Sequence, residues 1–308
     1  MNELARAAQT YLDTRRALGF RLRGEGQLLA QFVAFMDKAG LSVITTDAAL
    51  AWATGQVDVD TYWWGSRLAV VRTFASWLVA FDPHTQVPAA DLLRYRSHRA
   101  EPYPYTDADI AALMTAAATI THPLRAATYQ TLIGLLSVTG MRVGEAIKLD
   151  RTDLDAASGA LTIRHAKFDK SRELPLHPST IDALAAYARV RYRTCPHPPT
   201  PSLLISIVGT RLIYKNVHHT WLDLARQAGL RPRSSRCRPR IHDLRHRFAI
   251  ATLLGWYQGD ADIPARLPQL STYLGHVSPA STYWYLHGAP ELLALAAQRL
   301  EAHQGGSR

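Results

Sequence analysis

The sequence has few of the residues on which several classes of protein depend. It contains only two cysteines, Cys195 and Cys237, and neither stands in a CxxC pair or at zinc-ligand spacing from a histidine. No apolar run reaches the roughly 18 residues of a membrane span, and the N-terminus lacks the apolar stretch of a signal peptide. These absences argue against a disulfide scaffold, a zinc module and a membrane protein, and we expect a cytoplasmic protein.

The composition is that of a basic globular protein. Hydrophobic residues make up 47% of the 308 residues, enough for one large domain or two ordinary ones. The formal net charge is +10 and the isoelectric point about 9.8. Residues 1–100 hold 11 basic and 9 acidic side chains, whereas residues 101–308 hold 24 and 16. The excess positive charge therefore lies in the later part of the chain and predicts an anionic partner, most often nucleic acid.

The first hundred residues show helical periodicity. One apolar stripe, ended by Gly40, comprises Leu28, Leu29, Phe32, Val33, Phe35 and Met36, and a later one comprises Leu68, Val71, Ala75 and Leu78. Pro102 and Pro104 then favour extended chain. A helix start of capping-box type follows at Thr106. We predict a helical domain over 1–98, a linker over 99–105 and a second domain over 106–308.

The second domain combines helices with a small β insert. Residues 160–165 and 172–176 read as two strands joined by a turn. Helices are predicted at about 179–191, 215–228, 241–254, 264–274 and 278–286. The predicted fold class is therefore mainly α with a small β-sheet, an α+β protein.

A set of basic, imidazole and phenol side chains in this domain suits chemistry on a phosphodiester. The planar guanidinium groups of Arg142 and Arg245 can each pair with two phosphate oxygens. His242 lies three residues before Arg245 in a predicted helix, so both project from one face. His276 follows Leu274-Gly275 in a turn, and nearby basic groups can assist attack by a tyrosine, whose pKa is ordinarily about 10.

Two positions in this set have competitors. Lys167 in the hairpin turn can protonate a leaving oxygen, and Lys170 is the alternative; we favour Lys167 because it directly follows the first strand. Tyr285 and Tyr283 both lie near the expected nucleophile position. The nine-residue spacing from His276 favours Tyr285.

The order of these residues, in their local contexts, resembles the tyrosine recombinase (phage integrase) family. The matching segments are TGMRVGEAIKL, HAKFDKSRELPL, IHDLRHRFA and YLGHVSPASTYWYLH, within about 105–290. The resemblance implies that Arg142 and Arg245 hold the scissile phosphate, that His242 and His276 hydrogen-bond it and that Glu145 supports them. It also implies that Lys167 protonates the leaving 5′-oxygen and that Tyr285 forms a 3′-phosphotyrosine bond, with no cofactor and no metal.

Contacts with double-stranded DNA are expected from a second group of basic residues. Five like charges within ten residues repel one another unless an anion is near, and we predict phosphate contacts from Arg231, Arg233, Arg236, Arg238 and Arg240, and from Lys148. The resemblance implies a core DNA-binding domain at 1–98 that forms a C-shaped clamp with the catalytic domain. It also implies a C-terminal exchange helix, here the amphipathic segment 290–300, and a homotetramer, or a hetero-tetramer with a related recombinase, on two DNA sites in the nucleoid. Packing of that segment on its own chain remains the alternative.

The leading hypothesis is a site-specific recombinase that integrates, excises or resolves a mobile element or chromosome. A type IB topoisomerase uses related chemistry as a monomer, but the modest length and the candidate exchange helix argue against it. A DNA-binding regulator on a recombinase scaffold is the alternative that is not an enzyme. It is disfavoured because all six catalytic residues are present, and a metal-dependent nuclease is disfavoured because no carboxylate cluster accompanies them.

Overall fold

The computed structural model of the protein describes residues 3–56, 61–93, 100–164, 171–259, 261–276, 282 and 292. The chain divides into two compact units between Arg99 and Ala100. Each unit has a hydrophobic core of its own. Within the described ranges, no helix combines the length and apolar character needed to cross a bilayer.

The described part of the first unit is helical. Its helices are α1 (Glu3–Ala17), α2 (Arg23–Lys38), α3 (Thr46–Thr54) and α4 (Thr61–Leu78). Both predicted stripes lie in the core, with Leu28 and Phe35 only partly buried at its edge. Burial of each large apolar side chain contributes about 1.5–3 kcal/mol, and the most enclosed members are Leu29, Phe32, Met36, Ile44, Leu68, Val71 and Phe74. Gly40, with φ of +66°, follows α2 in the left-handed conformation that is common for glycine just after a helix.

The second unit contains the remaining elements. Its described helices are α5 (Asp107–Ala118), α6 (Pro123–Thr139), α7 (Val143–Lys148), α8 (Pro178–Thr194), α9 (Tyr214–Gln227), α10 (Asp243–Gln258) and α11 (Ile263–Leu274). Thr106 caps α5 with the predicted capping box, in which Asp109 bonds back to the Thr106 N–H. The predictions for α8 to α11 are confirmed, with boundaries that shift by up to four residues. The predicted helix at 278–286 lies outside the described residues, apart from Thr282.

A small antiparallel sheet stands between α7 and α8 in the sequence. It consists of β1 (Leu154–Asp155), β2 (Ala160–Ile163) and β3 (Arg172–Pro175), in that order across the sheet. The antiparallel pairing of β2 with β3 confirms the predicted hairpin, and Ile163 stands opposite Arg172 at the end next to the connecting segment. Leu161 and Leu174 face each other and are fully buried, so the sheet is fixed to the helical core by one face.

The segment expected to act as a linker packs closely on the second unit. Tyr103 and Tyr105 are both buried there, with ring centroids 4.8 Å apart. The Tyr103 N–H donates to Asp243 Oδ2 (3.1 Å), and the Tyr105 hydroxyl donates to the Arg240 carbonyl (3.2 Å). These contacts fasten the start of the unit to the first residue of α10 and to the segment just before it.

A smaller apolar cluster lies between α10 and α11. It includes Ala249 and Leu253 from α10, Leu267 and Leu270 from α11, and the fully buried Leu292. A residue from the C-terminal segment is thus packed against helices of its own chain. The rest of segment 290–300 lies outside the described residues.

Candidate active site

Three arginines converge on the carboxyl end of α11. Three successive main-chain carbonyls each accept a hydrogen bond from a different guanidinium: Tyr273 from Arg172 Nε at 2.7 Å, Leu274 from Arg245 Nη2 at 2.6 Å, and Gly275 from Arg142 Nη2 at 3.2 Å. The last carbonyls of a helix have no partner within it and carry partial negative charge, so cations are stabilised there. We call this arrangement of three arginines and three carbonyls the carbonyl cluster.

Glu145 bridges two of these arginines, Arg142 and Arg172. Its carboxylate accepts from the Arg142 N–H and from Arg142 Nη1, each at 2.9 Å, and from Arg172 Nη2 at 2.8 Å. Burial alone would raise the pKa of Glu145, but hydrogen bonds and charge from Arg172 and Arg142 outweigh it, and the pKa is lowered. Glu145 is therefore a carboxylate at neutral pH, and it orients both neighbours.

Arg245 is held by the turn between α6 and α7 as well as by α11. It is 2% exposed, and its Nη1 donates to the Gly140 carbonyl at 2.9 Å. Gly140 ends α6 with φ of +59°, and a Cβ there would lie 2.4 Å from the Phe248 ring. Only glycine fits this turn, and this explains the glycine of the TGMR segment.

His242 stands at the amino end of α10, one turn before Arg245. The pKa of His242 is lowered, first by burial and then by the charges of Arg245 and, further down, Arg142 and Arg240. The imidazole is therefore neutral at pH 7, with one nitrogen that donates and one that accepts.

His276 follows the left-handed Gly275 that ends α11. Its Nδ1 shares a hydrogen bond of 2.7 Å with the hydroxyl of Thr282, a fully buried residue. Burial, and then the charges of Arg245, Arg142 and Arg172, lower the pKa of His276 to about 4. This ring is thus also neutral at pH 7, with Nδ1 held by Thr282.

The structure brings five of the sequence-predicted residues into one site: Arg142, Glu145, His242, Arg245 and His276. Hydrogen bonds link Arg142 to Glu145, and bind Arg142 and Arg245 to the end of α11. The charges of Arg142 and Arg245 also lower the pKa of both imidazoles. The site offers guanidinium donors and neutral imidazoles within one half-buried cluster. Such a set can bind and polarise a phosphate group.

Comparison with known proteins decides the family. Residues 105–291, more than half of the chain, match the model of the phage integrase family. The chain belongs to the phage integrase family. The resemblance inferred from the sequence motifs is thereby confirmed.

Its integrase relatives include two full-length matches from Sinorhizobium fredii. The y4rB protein, named as an integrase/recombinase, is 44% identical over 307 residues and 98% of each chain. The y4rE protein, named likewise, is 36% identical over 305 residues, with 96% of this chain and 95% of the relative covered. The tyrosine recombinase XerC of Azotobacter vinelandii is 31% identical over 179 residues, 58% of this chain and 54% of the relative.

Solved structures of tyrosine recombinases share the fold. The Tn1549 transposon integrase in complex with a circular intermediate DNA superposes with a TM-score of 0.66 at 14% identity, over 96% of this chain and 99% of that one. XerH bound to a palindromic difH substrate gives 0.64 at 20% identity, over 90% and 78%. At these identities the match establishes the fold alone.

Two of the residues predicted for this integrase lie outside the described part of the chain. They are Lys167 and Tyr285, together with their alternatives Lys170 and Tyr283. Lys167 belongs to the segment that joins β2 to β3, between Arg164 and Ser171. Tyr285 follows Thr282 by three residues in the sequence.

Sequence reasoning missed two side chains of the site, Arg172 and Thr282. Arg172 opens β3 and contacts both Glu145 and the end of α11. Its one signal in the sequence is a basic residue at the first position of a short strand, which is weak because such residues are common at strand ends. Thr282 lies between the predicted His276 and Tyr285 in the sequence. Apart from its hydroxyl, no feature of the sequence distinguishes it.

The arginine-rich loop 231–240 is ordered around its own backbone. The carbonyl of the buried Cys237 accepts from the Arg233 N–H at 2.9 Å, and Ser234 Oγ accepts from the N–H groups of Arg236 (3.2 Å) and Cys237 (3.0 Å). Four of the five arginine side chains of this loop are exposed: Arg231, Arg233, Arg236 and Arg238. Lys148, at the end of α7, is exposed as well.

Arg240 differs from the other four. Its Nε and Nη2 bind the two oxygens of Asp243 at 3.0 and 2.9 Å, and Nη2 also donates to the Glu101 carbonyl. Asp243 is 2% exposed, so this pair compensates a buried carboxylate. Arg240 thus has a structural role in addition to any contact with DNA.

Proposed function

We propose that this protein is a site-specific DNA recombinase that cleaves and rejoins strands through a 3′-phosphotyrosine bond at Tyr285. The observation that carries the proposal is the convergence of Arg142, Arg245, His242 and His276 at the end of α11, in a chain of the phage integrase family. These are the groups that a negatively charged, five-coordinate phosphorus requires.

The two arginines bind the scissile phosphate in this proposal. Each uses part of its guanidinium on a carbonyl of α11, and this fixes the plane of the fork before DNA arrives. Arg142, with a side chain 33% exposed, binds the phosphate from the more accessible side of the site. Arg245, which is more deeply buried, binds it from the interior side. A preorganised pair of this kind stabilises charge without reorganisation during the reaction.

The remaining groups move protons. Tyr285 Oη attacks the phosphorus and loses its proton, the bond from phosphorus to the 5′-oxygen breaks, and Lys167 supplies a proton to that oxygen. The neutral imidazoles of His242 and His276 hydrogen-bond the phosphate and help to take the tyrosine proton. The ester retains the energy of the broken bond, so a free 5′-hydroxyl reverses the step without ATP.

DNA binding involves both units in this proposal, in the clamp that the family resemblance implies. Arg231, Arg233, Arg236, Arg238 and Lys148 contact the phosphate backbone, with a smaller part for Arg240. Several solved relatives were determined with DNA, among them a lambda integrase tetramer bound to a Holliday junction. We extend this to a tetramer of the present chain, alone or with a related recombinase, that moves or resolves a DNA element in the nucleoid.

A covalent-capture experiment tests the proposal. Duplexes that the purified protein selects from a random-sequence library are synthesised with a nick close to each candidate cleavage position, and are incubated with protein in EDTA. We expect a protein–DNA adduct on denaturing gels for the wild type and for Tyr283→Phe, and no adduct for Tyr285→Phe.

Each other outcome has a defined meaning. Loss of the adduct in Tyr283→Phe alone would move the nucleophile to Tyr283. Absence of an adduct from the wild type on tightly bound DNA would overturn the recombinase proposal and favour the DNA-binding regulator. Relaxation of supercoiled plasmid without strand exchange would favour the topoisomerase alternative.

A further inference from the structure

We propose that Arg172 is a positioning residue of the cleavage reaction, which holds Arg142 and His276 in place and keeps the charge of Arg142 available to the phosphate. The inference rests on the recombinase function proposed above and assigns a role to a residue that the catalytic set does not include.

Arg172 donates hydrogen bonds to other groups of the protein. Nε donates to the Tyr273 carbonyl (2.7 Å), and Nη1 and Nη2 donate to the two oxygens of Glu145 (3.3 and 2.8 Å). Its side chain is 11% exposed, against 33% for Arg142. A bidentate contact to a carboxylate together with a carbonyl contact uses the full planar fork of arginine. Both arginines contact Glu145 and a main-chain carbonyl, but Arg172 is the more deeply enclosed and Arg142 keeps about a third of its side chain exposed.

Arg172 also fixes the residue before His276. A Cβ on Gly275 would lie 2.8 Å from Arg172 Nη1, so the guanidinium packs directly on the backbone of that glycine. The same glycine carbonyl accepts from Arg142. Arg172 thus links β3, Glu145 and the turn that presents His276. Displacement by about 1 Å at such a point can cost roughly a hundredfold in rate.

Charge gives Arg172 a second effect. Glu145 is a buried carboxylate between two guanidinium groups, and this trio has a net charge of one positive unit. Without Arg172, Glu145 would pair with Arg142 alone, and that pair would be neutral where the phosphate binds. Since attraction between charges is strong in a partly buried site, removal of Arg172 weakens the hold of Arg142 on the phosphate.

This charge argument predicts a rescue that a purely structural role does not. Arg172→Gln should slow adduct formation about 100-fold at saturating selected duplex, with the DNA dissociation constant changed less than about threefold. Adding Glu145→Gln to Arg172→Gln removes the negative charge beside Arg142. The double variant should therefore form the adduct about tenfold faster than Arg172→Gln alone. Arg172→Lys keeps the charge and loses the fork, so it should fall between Arg172→Gln and wild type.

Arg211 provides a matched control in the same unit. It also joins a carboxylate to a main-chain carbonyl, through Nη2 to Asp150 (2.6 Å) and Nη1 to Ile147 (3.0 Å). Arg211→Gln should leave the cleavage rate within about twofold of wild type. An Arg172→Gln variant that cleaves at the wild-type rate, or a double variant slower than Arg172→Gln, would overturn the inference.

Hydrogen exchange separates this inference from the proposed function. The amides of Gly275 and His276 donate to the carbonyls of Thr272 and Ser271, and Arg172→Gln should speed their exchange while Arg211→Gln does not. If the wild type forms no adduct, the recombinase proposal fails, and the exchange result alone then decides whether Arg172 holds this turn. Unchanged exchange in Arg172→Gln would refute the positioning role whatever the activity.

Discussion

Arginine is used in two contrasting ways in the second unit. In the carbonyl cluster, Arg142, Arg172 and Arg245 bind main-chain carbonyls at the carboxyl end of α11, and each guanidinium has a fixed plane. In loop 231–240, four arginine side chains are exposed on a backbone that is ordered by Cys237 and Ser234. The same residue type therefore supplies geometry where it is buried and a positive field where it is exposed. The first suits a transition state and the second suits a polyanion.

The largest effect is expected inside the carbonyl cluster. Arg245→Lys removes the planar fork and cannot satisfy the carbonyls of both Gly140 and Leu274, so we expect cleavage of the selected duplex to fall about 1,000-fold. Single-turnover adduct formation at saturating DNA measures this.

Arg191 is the matched control for this substitution. It is another buried arginine of the unit, 5% exposed, and donates to the Ser202 carbonyl at 3.1 Å. Arg191→Lys should lower the thermal midpoint without a comparable loss of rate. Equal rate losses in both variants would show that Arg245 acts through stability alone.

A smaller effect, of a different kind, is expected in the loop. Replacing Arg231, Arg233, Arg236 and Arg238 together by Gln should weaken DNA binding about 100-fold near 0.1 M salt and reduce the slope of log affinity against log salt by about 3. Adduct formation at saturating DNA should remain near the wild-type rate. Fluorescence anisotropy over a salt series measures both quantities.

Exposed arginines on α8 provide the comparison for the loop. Arg189 and Arg193 are exposed, and replacing both by Gln should change the salt slope far less per charge removed. An equal change per charge would mean that the loop contributes only to the general positive field. A large fall in the rate at which the loop variant forms the adduct at saturating DNA would contradict the contrast drawn here. The exposed arginines would then affect the reaction itself and not only DNA binding.

The smallest effect is a pH dependence of stability at His276. The pKa of His276 is lowered to about 4 from an ordinary 6.5. As pH falls through this window the unfolded chain binds the proton first, so the free energy of unfolding decreases from about pH 6.5 to about pH 4. His242 contributes in the same direction.

His276→Gln should therefore flatten this decrease in part, because His242 remains. Urea unfolding at a series of pH values between 7 and 4.5 gives the slopes. His197 is exposed in the loop after α8, and His197→Gln serves as the control for the loss of an imidazole outside the site. A His276→Gln slope equal to that of wild type would contradict a neutral His276 in the folded protein.

Much of the site could be predicted from the sequence because its signals are local. Arg142 and Glu145 share one turn, and so do His242 and Arg245, so helical spacing alone places each pair. Arg172 could not be found this way, since its partners Glu145 and Tyr273 are 27 and 101 residues away in the chain. The separate role of Arg240 depends likewise on the burial of Asp243, which the spacing of five arginines within ten residues does not reveal.

The fold likewise has elements that the sequence predicts and others that it does not. The hairpin and the helices α8 to α11 follow from periodicity and turn residues, and the capping box at Thr106 fixes the start of α5. The two-residue strand β1 is too short for any periodic signal. The tight packing of Tyr103 and Tyr105 was hidden by flanking prolines, which indicate extended chain but not what the chain contacts.

The acceptors in the carbonyl cluster are main-chain oxygens, and this affects how the site can change during evolution. Every amino acid has a carbonyl, so substitutions at Tyr273 and Leu274 alter packing but cannot delete the partners of Arg172 and Arg245. Gly275 is restricted by its backbone as well, through its φ of +68° and the guanidinium beside it. The acceptors of the three guanidinium groups are therefore kept by the backbone even where the side chains of this segment change.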